Sequence, residues 1–194
     1  DLYDSKCKKM AVADYLLRNF AKQLERYSFQ AHGSGKSGII QVTRCGQEVL
    51  ERTACEIEEK TGNIIVRFEV GFPARGRTIQ AGELIKILYQ YLPACVEKAL
   101  YYKNMDQNAV KRAAELAVDQ EYIREQLKKE GLIAFVADGS ILPRESGVSQ
   151  RPMKDAVPFV SPDSMKVTMK LPYKGVLTGM GIRKGICLLY TSDA

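Results

Sequence analysis

The sequence predicts an α+β protein in which helices pack on a small antiparallel sheet, followed by the strands of a second domain. A helix-like repeat of apolar residues runs from Ser5 to about Arg26. Short runs of β-branched and apolar residues follow, separated by glycine-rich turns. A second set of strand-like runs begins at Ile133, after a long polar helix pattern. We therefore expect a first domain over residues 1–130 and a second over 131–186.

The first domain is predicted as one helix and an antiparallel meander. Strands are expected at Ile39–Thr43 and Val49–Glu58. The turn sequence Thr61-Gly62-Asn63 then predicts a hairpin into a third strand, Ile64–Val70. A helix opens at Gln80 or Ala81, and Pro93 is expected to end it, so that a separate helix covers Ala94–Tyr102.

The long helix of the sequence has clear predicted ends. Asp106 is a good N-cap, and Gly131 is a credible stop after Lys129. A buried strand is expected at Ile133–Ala137. Ser161-Pro162 indicates a boundary, after which a hairpin is predicted around Pro172-Tyr173-Lys174, with strands at Lys166–Leu171 and Gly175–Thr178.

Composition excludes several classes of protein. The 194 residues are 45% hydrophobic and 27% charged, which is typical of a globular protein. No apolar run reaches the length of a membrane helix, and residues 1–20 lack the apolar core of a signal peptide. Five cysteines without a CxxC pair, with His32 as the only histidine, argue against a metal site or a disulfide framework. Reduced cysteines predict a cytoplasmic protein.

The net charge of +6 is unevenly distributed. Five basic residues and no acidic ones lie between Lys166 and Lys184, and further arginines lie in the loops. Basic loops can neutralise the phosphates of a nucleotide or of a nucleic-acid backbone. A solvated face without a ligand is the alternative.

The segment GSGKSG, residues 33–38, ends like a Walker A motif but lacks its spacing. The full GxxxxGKS/T pattern needs glycine at position 30, which is Gln30, and a helix afterwards, where a strand is predicted. We therefore expect no true P-loop. Lys36 and Ser37 could still bind a phosphate in a backbone nest, and a plain connector is the alternative.

Two other loops carry candidate phosphate ligands. In GFPARGR, residues 71–77, Arg75 and Arg77 suit bidentate binding of phosphate or carboxylate, unless they pair with local acids such as Glu51 or Glu69. In the loop after Ile133–Ala137, Arg144 and Ser146 could contact a phosphate, and Glu145 could position water or pair with Arg144. A purely structural loop is the alternative there.

The helical tyrosines admit two interpretations. They could stack nucleic-acid bases, but their apolar helical surroundings favour packing in the core. Four tyrosines are concerned: Tyr89, Tyr91, Tyr101 and Tyr102. Asp119 and Glu121 lie on different faces of their helix and do not form a catalytic acid pair.

Five segments together carry a family resemblance. They are GSGKSG (33–38), GQEVLERTA (46–54), GFPARGR (71–77), the block 133–158 and TGMGIRKGI (178–186). In this order and spacing they resemble the predicted ATPases of the ABC class, a soluble family that includes an RNA-associated mitochondrial member. The resemblance covers nearly the whole chain and makes the second domain the start of an ABC-type nucleotide-binding domain.

The resemblance implies ATP and Mg²⁺ as cofactors, ATP hydrolysis, and a homodimer that sandwiches ATP between two nucleotide-binding domains. It also implies RNA as a partner. In the family a Walker A loop follows the segment like TGMGIRKGI, whereas in this chain CLLYTSDA follows. We therefore expect a fragment that is inactive alone, with residues 187–194 as a non-native tail like a translated sequencing adaptor. A native short strand over Ile186–Tyr190 is the alternative.

Two other functions remain open. The chain could be a stand-alone module that binds RNA or phosphate without ATPase activity. The amino-terminal domain could instead serve mainly for dimerisation.

Overall fold

The structure is a computed structural model that describes residues 1–185. The chain divides into two compact units, one over Asp1–Ala117 and one from Val118 onward. Both combine helices with antiparallel strands, which confirms the predicted α+β class. The domain boundary predicted after residue 130 stays a prediction. The predicted strand Ile186–Tyr190 and the predicted tail 187–194 lie outside the described residues.

The first unit begins and ends with helices and has short β-strands between them. The elements of both units are as follows. The helices are α1 Lys6–Glu25, α2 Ala81–Lys86, a π-helical turn Ile87–Tyr91, α3 Leu92–Leu100 and α4 Gln107–Lys129. The strands are β1 Ile40–Gln41, β2 Cys55–Ile57, β3 Ile64–Val66, β4 Glu69–Val70, β5 Ala74–Arg75, β6 Thr78–Ile79, β7 Leu132–Ala137, β8 Lys166–Leu171 and β9 Gly175–Arg183. Short 3₁₀ turns cover Tyr102–Asn104 and Asp163–Met165.

Helix α1 supplies most of the core of the first unit. Its buried side chains recur at helical spacing, so one stripe of the helix faces inward. Toward its start this stripe packs against the β2–β3 hairpin, and toward its end against α3 and the π-helical turn. The fully buried residues of the stripe include Leu17, Phe20 and Leu24.

The predicted strand Val49–Glu58 is wrong over most of its length, since only Cys55–Ile57 is a strand. The carboxylate of Asp14, only 3% exposed, accepts from Arg18 Nε at 2.5 Å and from Arg52 Nη1. Both arginines also donate to the Glu48 carbonyl. A buried carboxylate needs such partners. Since Asp14 lies in α1 and Arg52 lies just before Cys55, this ionic network holds that segment against α1.

The predicted strand Ile64–Val70 is also interrupted. Its first half, β3, pairs with β2, and the hairpin turn at 61–63 is confirmed. Its second half, β4, pairs instead with β1, with Ile40 opposite Val70. The chain therefore changes partner at Arg67 and Phe68, and the predicted meander is replaced by two separate two-stranded ribbons. A third ribbon, β5–β6, follows it.

Pro93 does not end a helix, contrary to the prediction. The segment from Ala81 to Leu100 is helical throughout, with a π-helical turn at Ile87–Tyr91 and Pro93 in the first turn of α3. Proline lacks the N–H that an α-helix would donate to residue 89, and a local π-helical turn accommodates such a defect.

The second unit is a three-stranded antiparallel sheet in the order β7-β9-β8, packed against the carboxyl half of α4. The predicted hairpin is confirmed, although its second strand extends to Arg183. The buried carboxylate of Asp119 accepts from the backbone N–H groups of Tyr173 and Lys174, both at 2.9 Å. Asp119 thereby fastens the β8–β9 turn to α4.

The predicted ends of α4 are also confirmed. The Asp106 carboxylate accepts from the Ala109 N–H at 2.9 Å, as an N-cap does. Gly131 adopts φ +67°, the left-handed conformation common just after a helix. Within residues 1–185, no helix is long and apolar enough to cross a membrane.

Candidate phosphate-binding site

The two glycine-rich loops of the first unit, which the sequence offered as separate candidates, are joined to each other. Ser34 N–H donates to the Ala74 carbonyl at 2.8 Å, and Ala74 N–H donates to Ser37 Oγ at 3.1 Å. Gly38 N–H donates to the Gly71 carbonyl at 2.8 Å. We call residues 33–38 and 71–77 together the basic loop pair.

The loops can approach this closely because of their glycines. A Cβ atom at Gly71 would lie 2.0 Å from the Lys36 carbonyl oxygen. A Cβ atom at Gly33 would lie 2.3 Å from the Ser37 Cβ. Both distances are far below van der Waals contact, so only glycine fits at either position without moving its neighbours.

Three cations project from the basic loop pair into solvent. Lys36, Arg75 and Arg77 are exposed, and none forms an ion pair with any residue that the structure describes. Arg75 lies in β5, and Arg77 lies in the tight turn that joins β5 to β6, next to Gly76 at φ +58°. The turn therefore presents two guanidinium groups two residues apart.

The acids that the sequence offered as partners for these arginines are engaged elsewhere. Glu51 lies 3.3 Å from Lys6 Nζ, and Glu69 accepts from Gln41 Nε2 at 2.8 Å. The pairing of Arg75 or Arg77 with these two carboxylates is therefore not present. The guanidinium groups keep their donors available for an external anion.

Backbone N–H groups add to the donors of the basic loop pair. The amides of Ser34, Ser37 and Gly38 all donate within the protein. The amides of Gly35 and Lys36 donate to no group within residues 1–185, and Gly35 has φ +63°. Free amides in such a left-handed turn form a nest that suits an anion.

Glu83 is the acid that reaches the edge of the basic loop pair. Its carboxylate accepts from the His32 backbone N–H at 3.0 Å and from Lys86 Nζ at 2.6 Å. The pKa of Glu83 is lowered, chiefly by the hydrogen bond from Lys86 and next by the one from the His32 backbone. The charge of Glu83 is thus balanced by Lys86, and the surplus of positive charge on the loop pair remains.

Arg144 and Ser146 lie in the second unit, in a loop over residues 140–159 that we call the 140–159 loop. A β-bridge between Arg144 and Pro152 orders its tip. Glu145 accepts from Ser149 Oγ at 3.2 Å, and the alternative in which it pairs with Arg144 does not occur among the ion pairs of residues 1–185. Ser146 Oγ accepts from the Ser149 N–H at 3.1 Å and closes a turn. Arg144 is exposed and forms no ion pair in the described part of the chain.

The ends of the 140–159 loop are clamped by Asp138. Its carboxylate accepts from Ser161 N–H at 2.6 Å and from Ser161 Oγ at 3.1 Å. These bonds, led by the one from the Ser161 backbone, lower the pKa of Asp138, and Thr178 contributes a further hydrogen bond. Gly139 N–H also donates to the Phe159 carbonyl at 2.8 Å.

Two family models match the chain. The model described as the amino-terminal domain of ATPases of the ABC class matches residues 1–103, more than half of the chain. The model of the P-loop domain of these ATPases matches residues 106–193. The chain belongs to the ABC class of ATPases. No curated protein matches it.

Membership of the ABC-class ATPases implies nucleotide and Mg²⁺ in general, but the described residues do not assemble a site for them. The triplet Gly35-Lys36-Ser37 leads into strand β1 and not into a helix. The Ser37 hydroxyl, which would face Mg²⁺ in a P-loop, is buried and donates to the Ser34 carbonyl at 2.6 Å. No cluster of metal-ligating side chains occurs in residues 1–185.

Sequence reasoning about this ABC-class chain missed the partners that organise the candidate sites. Ala74 joins the loop pair only through its backbone, which leaves no signal in the sequence. The sequence analysis assigned no role to Asp138, which is one of several polar residues after the strand at 133–137. Its position directly after a buried strand and before a glycine could have indicated a turn-forming carboxylate.

Proposed function

We propose that the amino-terminal unit binds the phosphodiester backbone of RNA through the basic loop pair, and that it does so as part of an ABC-class ATPase. Hydrolysis of ATP with Mg²⁺ then belongs to the complete protein, in which ATP lies between two nucleotide-binding domains of a homodimer. Residues 1–194 alone bind RNA weakly and turn over no ATP. The four described cysteines are free thiols, in keeping with a cytoplasmic location.

One observation carries the proposal. Hydrogen bonds between Ser37 and Ala74 bring Lys36 onto the same surface segment as Arg75 and Arg77, and all three cations lack an acid partner in residues 1–185. Such a group contacts phosphates without reading bases. The binding should therefore be insensitive to base sequence and should weaken steeply with salt.

The test is RNA affinity as a function of salt for K36Q/R75Q/R77Q. Three lost phosphate contacts should reduce the magnitude of the slope of log K against log salt by about 2 for a single strand. The matched control is K60Q/K128Q/K129Q, which removes three exposed lysines on other elements. An equal effect of both triple variants would show that only net charge matters and would contradict the proposed site.

Two rival functions make different predictions in the same experiments. A stand-alone RNA module predicts the loss of affinity, but no effect of the three substitutions on ATPase turnover in a longer protein that contains a Walker A loop. A domain that serves only for dimerisation predicts unchanged RNA affinity in K36Q/R75Q/R77Q. Measurable ATP hydrolysis by purified residues 1–194 would contradict the assignment of hydrolysis to the complete protein.

The 140–159 loop is a second candidate for phosphate contact. Arg144, Arg151 and Lys154 are exposed there and form no ion pair in the described chain. The turn closed by Ser146 and the clamp at Asp138 order the loop, which lowers the entropy cost of binding. The variant R144Q/R151Q/K154Q tests it in the same salt series, and an unchanged slope would assign the loop a structural role.

A further inference from the structure

Three of the four tyrosines that the sequence predicted to pack in the core are exposed. The exposed fraction is 76% for Tyr89, 50% for Tyr101 and 48% for Tyr102. Tyr91 alone follows the prediction, since it packs on the core and its ring stacks on Tyr27 at 5.0 Å between centroids. Two residues correspond to about 200° around a helix, so Tyr89 faces away from the side that Tyr91 buries.

The outer surface around these tyrosines is apolar and concave. Ile85 and Leu88 are exposed beside Tyr89 at 54% and 41%. A groove of about 380 Å³ runs along α3 from there to Tyr101. The residues that line the groove are Leu88, Leu92, Pro93, Val96, Glu97 and Tyr101. Tyr101 lines one end of this groove, and Tyr89 is exposed next to Leu88 at the other. Exposed rings beside an apolar groove are suited to flat, weakly polar ligands.

Two lysines and one acid lie on or next to the end of α3 that carries Tyr101. Lys103 Nζ lies 5.9 Å from the centre of the Tyr101 ring. Lys98, in α3, is exposed and forms no ion pair within residues 1–185. Glu97 is the one acid among the described residues that line the groove.

The helical segment that carries the groove begins beside the basic loop pair. Gln80 N–H, at the start of α2, donates to the Pro73 carbonyl of the loop pair at 2.8 Å. The twelve residues from Tyr89 to Tyr101 span about 18 Å along a helix. This is the length of about five stacked nucleotides. A strand held by phosphate on the loop pair can therefore extend its bases over the tyrosines.

We propose that Tyr89 and Tyr101 form a stacking platform for unpaired nucleobases, so that the substrate class of the basic loop pair is single-stranded RNA. The inference rests on the proposed RNA-binding function and adds base stacking to it. Aromatic stacking tolerates any base sequence, and it fails on duplexes because their bases are already stacked on each other.

The test compares three probes of equal length: a 12-nucleotide single-stranded RNA, the corresponding 12-base-pair duplex, and a 12-unit abasic phosphodiester. The variants are Y89A/Y101A and Y89F/Y101F. For Y89A/Y101A we expect at least about five-fold weaker binding of the single strand, with its salt slope unchanged. Binding of the duplex and of the abasic chain should stay the same. Y89F/Y101F should restore the affinity, because the ring and not the hydroxyl stacks.

Three outcomes would overturn the inference. One is equal loss of affinity for single-stranded and abasic probes in Y89A/Y101A, and another is no loss at all. The third is that Y89A/Y101A abolishes self-association in sedimentation velocity while RNA affinity is unchanged, which would make the groove an interface between copies of the chain. Failure of the proposed function itself is a separate result, since it appears as unchanged affinity of all three probes in K36Q/R75Q/R77Q.

Discussion

The hydroxyl of Ser37 and the backbone amide of Ala74, 37 residues apart in sequence, join the two glycine-rich loops of the first unit. Ala74 N–H donates to Ser37 Oγ at 3.1 Å, and Ser37 Oγ in turn donates to the Ser34 carbonyl at 2.6 Å. Ser37 stands where the serine of a Walker A motif would, and in this structure its hydroxyl joins the two loops. Its neighbour Lys36 keeps its charge exposed.

Replacing Ser37 by alanine should destabilise the first unit by about 1 to 2 kcal/mol, because the Ala74 N–H loses its acceptor. Urea unfolding followed by circular dichroism measures this. The control is S34A, which should cost about 0.5 kcal/mol, since Ser34 still donates to Ala74 through its backbone N–H. If S34A costs as much as S37A, the Ser37 bridge is not what joins the loops.

Replacing Gly71 by alanine should destabilise the protein by about 1 to 3 kcal/mol and weaken RNA binding, since the new Cβ would lie 2.0 Å from the Lys36 carbonyl oxygen. Thermal unfolding and RNA affinity measure the two effects. Gly82 is the matched glycine, because nothing lies within 4 Å of a Cβ there. G82A should stabilise the protein by about 0.4 to 1 kcal/mol. Destabilisation by G82A would contradict the finding that a Cβ at Gly82 meets no neighbour.

Replacing Asp119 by alanine should cost about 2 to 4 kcal/mol, because two backbone N–H groups in the β8–β9 turn lose a charged acceptor. Hydrogen exchange of the Tyr173 and Lys174 amides should rise at the same time. The control is E121Q, two residues away and exposed on the other side of α4. It should change stability by less than about 0.5 kcal/mol. Unchanged exchange at residues 173 and 174 in D119A would refute the fastening role of Asp119.

The clamp at Asp138 should depend on pH. Folding lowers the pKa of this carboxyl from the ordinary value of 3.8, chiefly through the hydrogen bond from the Ser161 N–H. Its stabilising contribution is therefore complete above the ordinary pKa and is lost as pH falls through the lower, folded value. A nuclear magnetic resonance titration should show the Ser161 amide shifting with a midpoint below 3.8.

The variant D138N provides the check on that titration. An asparagine cannot ionise, so the pH-dependent shift of the Ser161 amide should vanish, and the 140–159 loop should become easier to cleave by protease at neutral pH. A titrating Ser161 amide in D138N would mean that another group causes the shift.

Local signals in the sequence predicted some elements correctly for clear physical reasons. The α1 stripe, the Asp106 cap, the Gly131 stop and the two hairpins each depend on residues close in sequence. The family resemblance was also readable from the sequence and is confirmed by the two matching models. The candidate site residues themselves stay predictions, although the structure joins Lys36 to the loop that carries Arg75 and Arg77.

The sequence predictions that were wrong have a common cause, which is contacts between residues far apart in the chain. Nothing near Val49 indicates that Arg52 will pair with the buried Asp14 and keep the segment out of a sheet. Nothing near Phe68 indicates that the chain will change strand partner there. The partial burial of Tyr91 and the exposure of Tyr89 likewise depend on which side of the helix meets the core.

By itself, the sequence determined the α+β class, the family, the ends of the long helix and the surplus of positive charge in the loops, because composition, caps and turn residues act locally. Only the tertiary structure decided that two glycine loops form one basic surface, that Ser37 is a bridge, and that Asp14 and Asp119 are buried braces. The physical reason is that a hydrogen bond or ion pair depends on the distance between its atoms in space, and chain separation does not encode that distance.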